Sequence, residues 1–223
     1  TTFYIFQKKM LENSIGGGIL LRQPNNSKCI GRLNMKRYLL LLLVLLLALS
    51  GVSCGSDDNP AAPTTPTVTY NLRDTGPAGG IIFYINPNAS TDGWTYLEAW
   101  TADESGNYDW KTSQSTTSGT STAIGTGYLN TYTYMAGTAH PAAEVVRNAT
   151  HGGKNDWFLP SKDELNLMYV NLKVPGVGGF TDALYWSSSE NDSNFAWIQH
   201  FGNGYPGTGG KNGSLRVRAV RAF

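Results

Sequence analysis

Cysteine is scarce in this sequence, which limits how the chain can be held together. The 223 residues include two cysteines, Cys29 and Cys54. Cys54 comes directly after an apolar run, and cleavage of the chain there would remove Cys29 and leave no pair for an internal disulfide. We therefore expect residues 67–223 to fold as one domain around an apolar core, for which they are numerous enough.

Excess charge of either sign is also missing. The formal net charge is +1, and the only cluster of basic residues in the expected domain is Arg216, Arg218 and Arg221. Domains that bind nucleic acid usually carry a strongly basic patch or stripe. We therefore expect no nucleic-acid partner.

Apolar runs long enough to cross a membrane are absent too. The longest run, Leu39 to Leu49, falls short of the roughly 20 residues that a spanning helix needs. It follows Met35 and Lys36-Arg37 and precedes small residues, which is typical of a signal peptide. We predict a signal peptide at residues 35–53. Residues 1–34 have no helical or strand periodicity and are predicted to be upstream sequence outside the native protein.

The segment after this run predicts a membrane anchor. Gly51-Val52-Ser53-Cys54 resembles a bacterial lipoprotein cleavage site with lipidation of Cys54, although Gly51 stands where leucine is usual. The acidic segment 55–59 resembles an export tag for the outer face of the outer membrane. Residues 54–66 would then be a lipid anchor and a Pro/Thr-rich tether, which predicts a cell-surface lipoprotein of the outer membrane. The alternative is a plain secretory signal followed by an incidental cysteine.

The rest of the chain predicts an α+β domain. Apolar and aromatic runs at 81–85 and 93–98 predict strands, and the Ser/Thr/Gly-rich segment 103–130 predicts a long ordered loop. A helix is expected from Pro141 to the Gly152-Gly153 pair. A second helix starts at a capping box, Ser161 with Glu164, and ends at Pro175-Gly176.

Patterns that would indicate catalysis or metal binding are weak. The three histidines (His140, His151 and His200) lack metal-ligand spacing, and no nucleophile elbow surrounds Ser187 or Ser189. The Gly202-x-Gly204-x-x-Gly207 match to a dinucleotide fingerprint lacks a βαβ context. The oxygen-bearing residues Asp182, Glu190, Asn191 and Asp192 could bind Ca²⁺ but form no loop motif. We predict no catalytic residues, no cofactor and no metal site, with a hydrolase as a poorly supported alternative.

The last stretch of the chain mixes two kinds of residue. Regular anchors alternate with residues that share no chemical theme, and the anchors are Trp186, Trp197, Phe201, Val217 and Val220. In a β-strand at 196–202, alternation would put Trp197, Gln199 and Phe201 on one face and Ile198, His200 and Gly202 on the other. We expect the first face to pack on the core and the second to be exposed.

This stretch, residues 186–223, resembles the variable region of proteins diversified by a diversity-generating retroelement. In that family, randomised AAC codons can encode every residue type except Lys, Gln, Glu, Met and Trp. The resemblance implies that Glu190, Trp197, Gln199 and Lys211 are scaffold and that the miscellaneous residues, together with unchanged or reverted Asn codons, form a ligand-binding surface. The ordinary alternative is a Gly/Asn-rich surface loop of a β-rich domain. The candidate ligand-binding residues are Asn191, Asp192, Asn194, Phe195, Ile198, His200, Gly202, Asn203, Tyr205, Pro206, Thr208, Asn212 and Leu215, and Gly213 also falls among the reachable residue types.

A second resemblance covers essentially residues 70–223. The segments 79–84, 155–165, 185–190 and 217–221 resemble the domain found at the C-terminus of collagen-like bacterial adhesins and in secreted lipoproteins. Related variable proteins have a C-type-lectin-like fold of the formylglycine-generating-enzyme subtype, which implies a small, mostly antiparallel sheet, two helices and long ordered loops. An oxidising enzyme of that fold uses paired cysteines, and a chain cleaved at Cys54 lacks such a pair.

These resemblances imply a surface-displayed, non-catalytic lipoprotein whose terminal face is diversified. Its partners would be an unknown protein or glycan on another cell, phage or host surface, and the membrane through the lipid. The alternative is an adhesin of fixed specificity for glycans or matrix.

Overall fold

A computed structural model describes residues 68–223 of the chain. The predicted upstream segment, signal peptide, lipid anchor and tether lie outside the described residues. No helix within residues 68–223 has the length and apolarity required to cross a membrane. In chain order the strands are β1 (Ile81–Ile85), β2 (Tyr96–Ala99), β3 (Tyr108–Asp109), β4 (Leu184–Glu190), β5 (Phe195–His200), β6 (Pro206–Gly210), β7 (Ser214–Leu215) and β8 (Val220–Ala222). The α-helices are α1 (Ala89–Asp92), α2 (Gly127–Leu129), α3 (Pro141–Arg147) and α4 (Lys162–Met168).

The strands form three small antiparallel sheets. Their orders are β1-β2-β8, β3-β7 and β4-β5-β6, and we call the last one the terminal sheet. Long segments without regular structure connect them, and Trp110 in one such segment is fully buried. The α+β class expected from the sequence is therefore confirmed, and the arrangement is compatible with a C-type-lectin-like fold.

Helix α4 is the element that the sequence predicts best. The Ser161 side chain accepts a hydrogen bond from the Glu164 amide, and the Glu164 carboxylate accepts one from the Ser161 amide at 2.7 Å. Both side chains are fully buried, and burial raises the pKa of Glu164 to about 7. The helix continues as a π-helical segment over Tyr169–Lys173, just before the predicted stop at Pro175.

The other predicted boundaries shift. Helix α3 ends at Arg147 rather than at Gly152-Gly153, because the chain leaves the helix to form a β-bridge between His151 and Lys154. Gly152 instead allows the main chain to lie close to Ala78, since a Cβ at position 152 would lie 1.7 Å from the Ala78 carbonyl oxygen. Strand β2 begins three residues later than predicted, because Gly93 caps the short helix α1.

Two apolar clusters make up the core. One is built around Trp110, Trp157 and Trp186 and contacts one side of the terminal sheet. The other contains Phe83, Phe201 and residues of α4. Helix α4 contacts β4 and β5, so packed elements cover both sides of the terminal sheet near its centre.

Candidate ligand-binding face

The terminal sheet is held in register by two successive hairpins. Trp186 on β4 lies opposite Ile198 on β5, and Ile198 lies opposite Gly207 on β6. Within the described residues, strand β6 pairs with β5 alone. The sheet therefore presents three exposed regions: the turn at 191–194, the turn at 201–205 apart from the buried Phe201, and β6. We call these three regions together the terminal edge.

Most of the candidate ligand-binding residues lie on the terminal edge or directly after it. His200 and Leu215 are partly buried, and Ile198 is buried with 8% of its surface exposed. Gly213 is also partly buried. The ten exposed candidates are Asn191, Asp192, Asn194, Phe195, Gly202, Asn203, Tyr205, Pro206, Thr208 and Asn212.

The predicted division of β5 into a buried and an exposed side is wrong at Ile198 and Trp197. Ile198 packs in the core cluster that contains Trp186, whereas Trp197, expected in the core, is only partly buried. Residues opposite each other in an antiparallel pair share a side of the sheet, so Ile198 is placed beside Trp186 by the register. Because both sides of the sheet are covered, exposure depends on distance from its centre and not on alternation. Gln199 and Phe201 are buried as expected, at 2% and 0% exposed.

The expectation of one exposed face also needs correction. Thr208 lies opposite Trp197 and shares its side of the sheet, whereas Tyr205 contacts the position of Gly207 on the other side. Exposed candidates therefore lie on both sides of β6 and in turns at opposite ends of the terminal sheet. The arrangement is a rim around the sheet.

Replacing Ile198 by valine measures how far this residue belongs to the core. We expect the free energy of unfolding to fall by about 0.5–1.5 kcal/mol, as for other buried isoleucines, with binding properties unchanged. Chemical denaturation measures the change. Thr208→Val is the matched control on an exposed position, and equal stability of the two variants would contradict the buried position of Ile198.

The turn at 191–194 is organised by Asp192. Its carboxylate oxygen Oδ1 accepts hydrogen bonds from the amides of Asn194 and Phe195 at 2.8 and 2.9 Å. The bond from Asn194 is the main reason that the pKa of Asp192 lies below its usual value. Asn191 donates to the other oxygen at 2.9 Å. Asp192 therefore shapes the turn and presents Phe195, whose side chain is exposed.

The turn at 201–205 is held by similar local bonds. Nδ1 of His200 accepts from the Gly202 amide, and Oδ1 of Asn203 accepts from the Tyr205 amide, both at 3.0 Å. Gly204 has a φ of 76°, and a Cβ there would lie 2.4 Å from the Tyr169 ring. The turn thus has a fixed backbone, and it projects Tyr205 with 67% of its surface exposed.

Trp197 is a candidate binding residue that the sequence reasoning assigned to the scaffold. The ammonium group of Lys162, at the start of α4, lies 3.8 Å from the centre of its ring. A cation at this distance is attracted by the negative face of an indole. The pair offers an aromatic surface and a positive charge beside Thr208. The capping box placed Lys162 at the helix start, but no sequence signal placed it over Trp197.

Two polar side chains, Lys211 and Glu190, anchor the terminal edge to the rest of the domain. Lys211 is fully buried, forms an ion pair with Glu190 and donates to the Ser115 carbonyl at 2.9 Å. Glu190 also accepts from the Thr117 amide at 2.6 Å. Lys211 and Glu190 thus fasten the ends of β6 and β4 to the long loop, consistent with their expected scaffold role.

The residues considered for catalysis or metal binding are engaged in structural contacts. Ser187 and Ser189 are buried and donate to the carbonyls of Trp197 and Ser121 at 2.8 and 2.7 Å. Asp182 pairs with Lys173 at 2.6 Å. Within residues 68–223, no three side chains of His, Cys, Asp or Glu are grouped as metal ligands.

Comparison with known proteins places the chain in a family. A fimbrial protein from Bacteroides ovatus shares 20% identity and a TM-score of 0.41, with 62% of this chain and 38% of that chain covered. The present chain thus spans well under half of that protein. No curated protein matches the sequence. The model of the Lcl C-terminal domain matches residues 91–221, which is more than half of the sequence and agrees in part with the resemblance described above. The chain therefore belongs to the Lcl C-terminal domain family.

Proposed function

We propose that this protein is a surface-displayed, non-catalytic binding protein whose ligand contacts the terminal edge. One observation carries the proposal: ten candidate residues are exposed on the terminal edge or directly beside it, while the anchors Trp186, Phe201, Val217 and Val220 are fully buried. Side chains on the terminal edge can therefore change without changing the core. A surface of this kind suits a fixed scaffold with replaceable contacts.

Phe195 and Tyr205 are the expected centres of affinity. They are 42% and 67% exposed, and their backbones are fixed by turns. Aromatic side chains provide large contact areas at low entropic cost, and they are enriched among the residues that dominate binding energy. Asn203 and Asn212 would supply adaptable hydrogen bonds around them.

The proposed setting is the outer face of a bacterial outer membrane. It rests on the lipoprotein-like sequence before Cys54 and on membership in the Lcl C-terminal domain family. The tether at 54–66 would hold the domain away from the membrane. The partner would be a protein or glycan on another cell, a phage or a host.

A triple variant, Phe195→Ala/Tyr205→Ala/Thr208→Ala, tests the binding surface. Surface substitutions usually change stability by less than about 0.5 kcal/mol each, so the melting temperature should hardly move. Binding to a glycan array and to fixed bacterial and host cells should be lost for every target that the unmodified chain captures. Calorimetry and fluorescence binding measure the two quantities.

Val170→Ala/Val174→Ala is the matched control, because these side chains are 48% and 64% exposed outside the terminal edge. It should retain binding. Capture of the same targets by the triple variant, or loss of capture by the control, would contradict the proposal.

Diversification by a retroelement is the finer proposal, and genomic context tests it cheaply. A reverse transcriptase gene and a near-repeat of the segment coding for residues 186–223 should lie close by. The alternative, an adhesin of fixed glycan or matrix specificity, is favoured by Trp197 and Lys162, since AAC codons cannot produce either residue. If sister proteins with different terminal edges bind one common target through Trp197, fixed specificity replaces diversification.

A further inference from the structure

The outer side of β6 has a regular set of unpaired main-chain groups. In an antiparallel ladder, directly opposite residues alternate between hydrogen-bonded and non-hydrogen-bonded pairs. The His200 amide donates to the Tyr205 carbonyl at 3.0 Å, and the Lys211 amide donates to the Asn194 carbonyl at 2.9 Å. Tyr205 and Lys211 thus direct their main-chain groups toward β5. Because the direction alternates along a strand, Gly207 and Gly209 do so as well. Pro206, Thr208 and Gly210 therefore direct their main-chain groups away from the sheet.

These outward groups are an incomplete set. Thr208 offers an N–H and a carbonyl, Pro206 offers a carbonyl but has no N–H, and Gly210 offers an N–H. The Gly210 carbonyl already accepts from the Gly213 amide at 2.7 Å. Among residues 68–223, the outer side of β6 pairs with no other strand. Three residues of β6 thus direct main-chain groups outward, but two groups cannot bond to another strand: the N–H that Pro206 lacks and the Gly210 carbonyl that is already occupied.

A second copy of the same edge would match this set. If two β6 strands pair antiparallel about a two-fold axis at Thr208, each Thr208 faces its counterpart and each Pro206 faces Gly210 of the other copy. The Thr208 pair exchanges two hydrogen bonds, and each Gly210 N–H meets a Pro206 carbonyl. The missing Pro206 N–H then falls opposite the Gly210 carbonyl that is already occupied. Four hydrogen bonds form, and no outward donor is left without a partner.

The side chains of β6 permit this approach. Gly207 and Gly209 have none, and the exposed Thr208 side chains would meet across the axis as a Thr–Thr pair, a favourable cross-strand combination. Two-fold dimers use the same patch on both subunits, so a patch must complement itself. The outer side of β6 fulfils that condition.

We propose that two copies of this chain associate through their β6 strands, which joins two three-stranded terminal sheets into one six-stranded antiparallel sheet. The contact is small, so the dimer is weak and depends on concentration. It leaves the turns at 191–194 and 201–205 accessible. Each dimer then presents two copies of these turns, while the outer main-chain groups of both β6 strands are covered by the contact.

Proline at position 208 tests the main-chain pairing. Thr208→Pro removes both N–H groups of the central pair, and proline is tolerated at edge positions whose N–H points to solvent. At about 1 kcal/mol for each lost bond, the dimer should weaken more than tenfold. Thr208→Val keeps the main chain and should dimerise normally. Sedimentation velocity of the full chain from micromolar to submillimolar concentration measures both, with circular dichroism to confirm folding.

Charged residues at position 208 test the two-fold register. Thr208→Lys and Thr208→Glu each place like charges opposite one another, which destabilises a cross-strand pair, while an equimolar mixture places opposite charges together. With one variant labelled with ¹⁵N to separate the masses, native mass spectrometry should therefore show heterodimers as well over half of all dimers, above the 1:2:1 ratio of random pairing. Thr138→Lys, a charge on an exposed threonine elsewhere, should dimerise as the unmodified chain does.

Three results would overturn the proposal. They are a chain that stays monomeric throughout the concentration range, a dimer that Thr208→Pro leaves intact, and a Lys/Glu mixture without excess heterodimer. A chain that stays monomeric would overturn the proposal also where a strand from residues 1–67 or from a different protein occupies the outer side of β6.

Discussion

Replacing Asp103 by alanine is expected to lower the free energy of unfolding by about 3–5 kcal/mol, because it leaves the buried guanidinium of Arg218 without its carboxylate partner. Arg218 is fully buried, and its Nε and Nη2 donate to Asp103 Oδ1 at 2.8 and 2.6 Å. Asp103 Oδ2 accepts from Arg216 and from the Tyr185 hydroxyl at 3.0 and 2.8 Å. Since domains are stable by only about 5–15 kcal/mol, this variant would approach the limit of folding.

Denaturant unfolding followed by tryptophan fluorescence measures this loss. Asp182→Ala removes the carboxylate of an exposed ion pair with Lys173 and should change stability little, because water screens such pairs. Similar midpoints for Asp103→Ala and Asp182→Ala would show that the Asp103 network does not stabilise the fold.

Replacing Trp186 by alanine should cost about 3–5 kcal/mol, the range for large aromatic residues in a core. The indole is fully buried and donates to the Tyr108 carbonyl at 2.8 Å. It also lies beneath β6, since a Cβ at Gly209 would be 2.9 Å from the ring. The cavity would open under the terminal edge, so binding should weaken along with stability.

Tyr205→Ala is the control that separates the two effects. It removes an exposed ring, so it should reduce binding while leaving the unfolding midpoint almost unchanged. Unfolding is measured by denaturant titration and binding on the same arrays as the triple variant. Equal stability of the Trp186 and Tyr205 variants would contradict the role of Trp186 as the support of the terminal sheet.

Local sequence signals predicted the local structure well. The capping box at Ser161 fixed the start of α4 because both of its hydrogen bonds form within four residues. The strand at 81–85 followed from its apolar composition. Gly152 misled the prediction of where α3 ends, because the reason for that glycine is the Ala78 carbonyl, which is distant in sequence.

The orientation of β5 could not be predicted, because it depends on which elements cover each side of the sheet. Alternation separates inside from outside only when one face meets water. Here α4 covers the side of Trp197 and Gln199, and the Trp186 cluster covers the side of Ile198. The exposed turns were predictable from their Asn, Asp and Gly residues, whereas the contact of Lys162 with Trp197 needed the packing of α4.

The glycines of β6 restrict how many sequences the terminal edge can sample. Any side chain at Gly209 would displace the Trp186 ring, and one at Gly207 would come within 2.9 Å of the Tyr205 ring. In a combinatorial library that randomised every codon from 203 to 210, most variants would therefore misfold. Keeping Gly204, Gly207 and Gly209 constant while varying 203, 205, 206 and 208 would make the same scaffold an economical source of engineered binders.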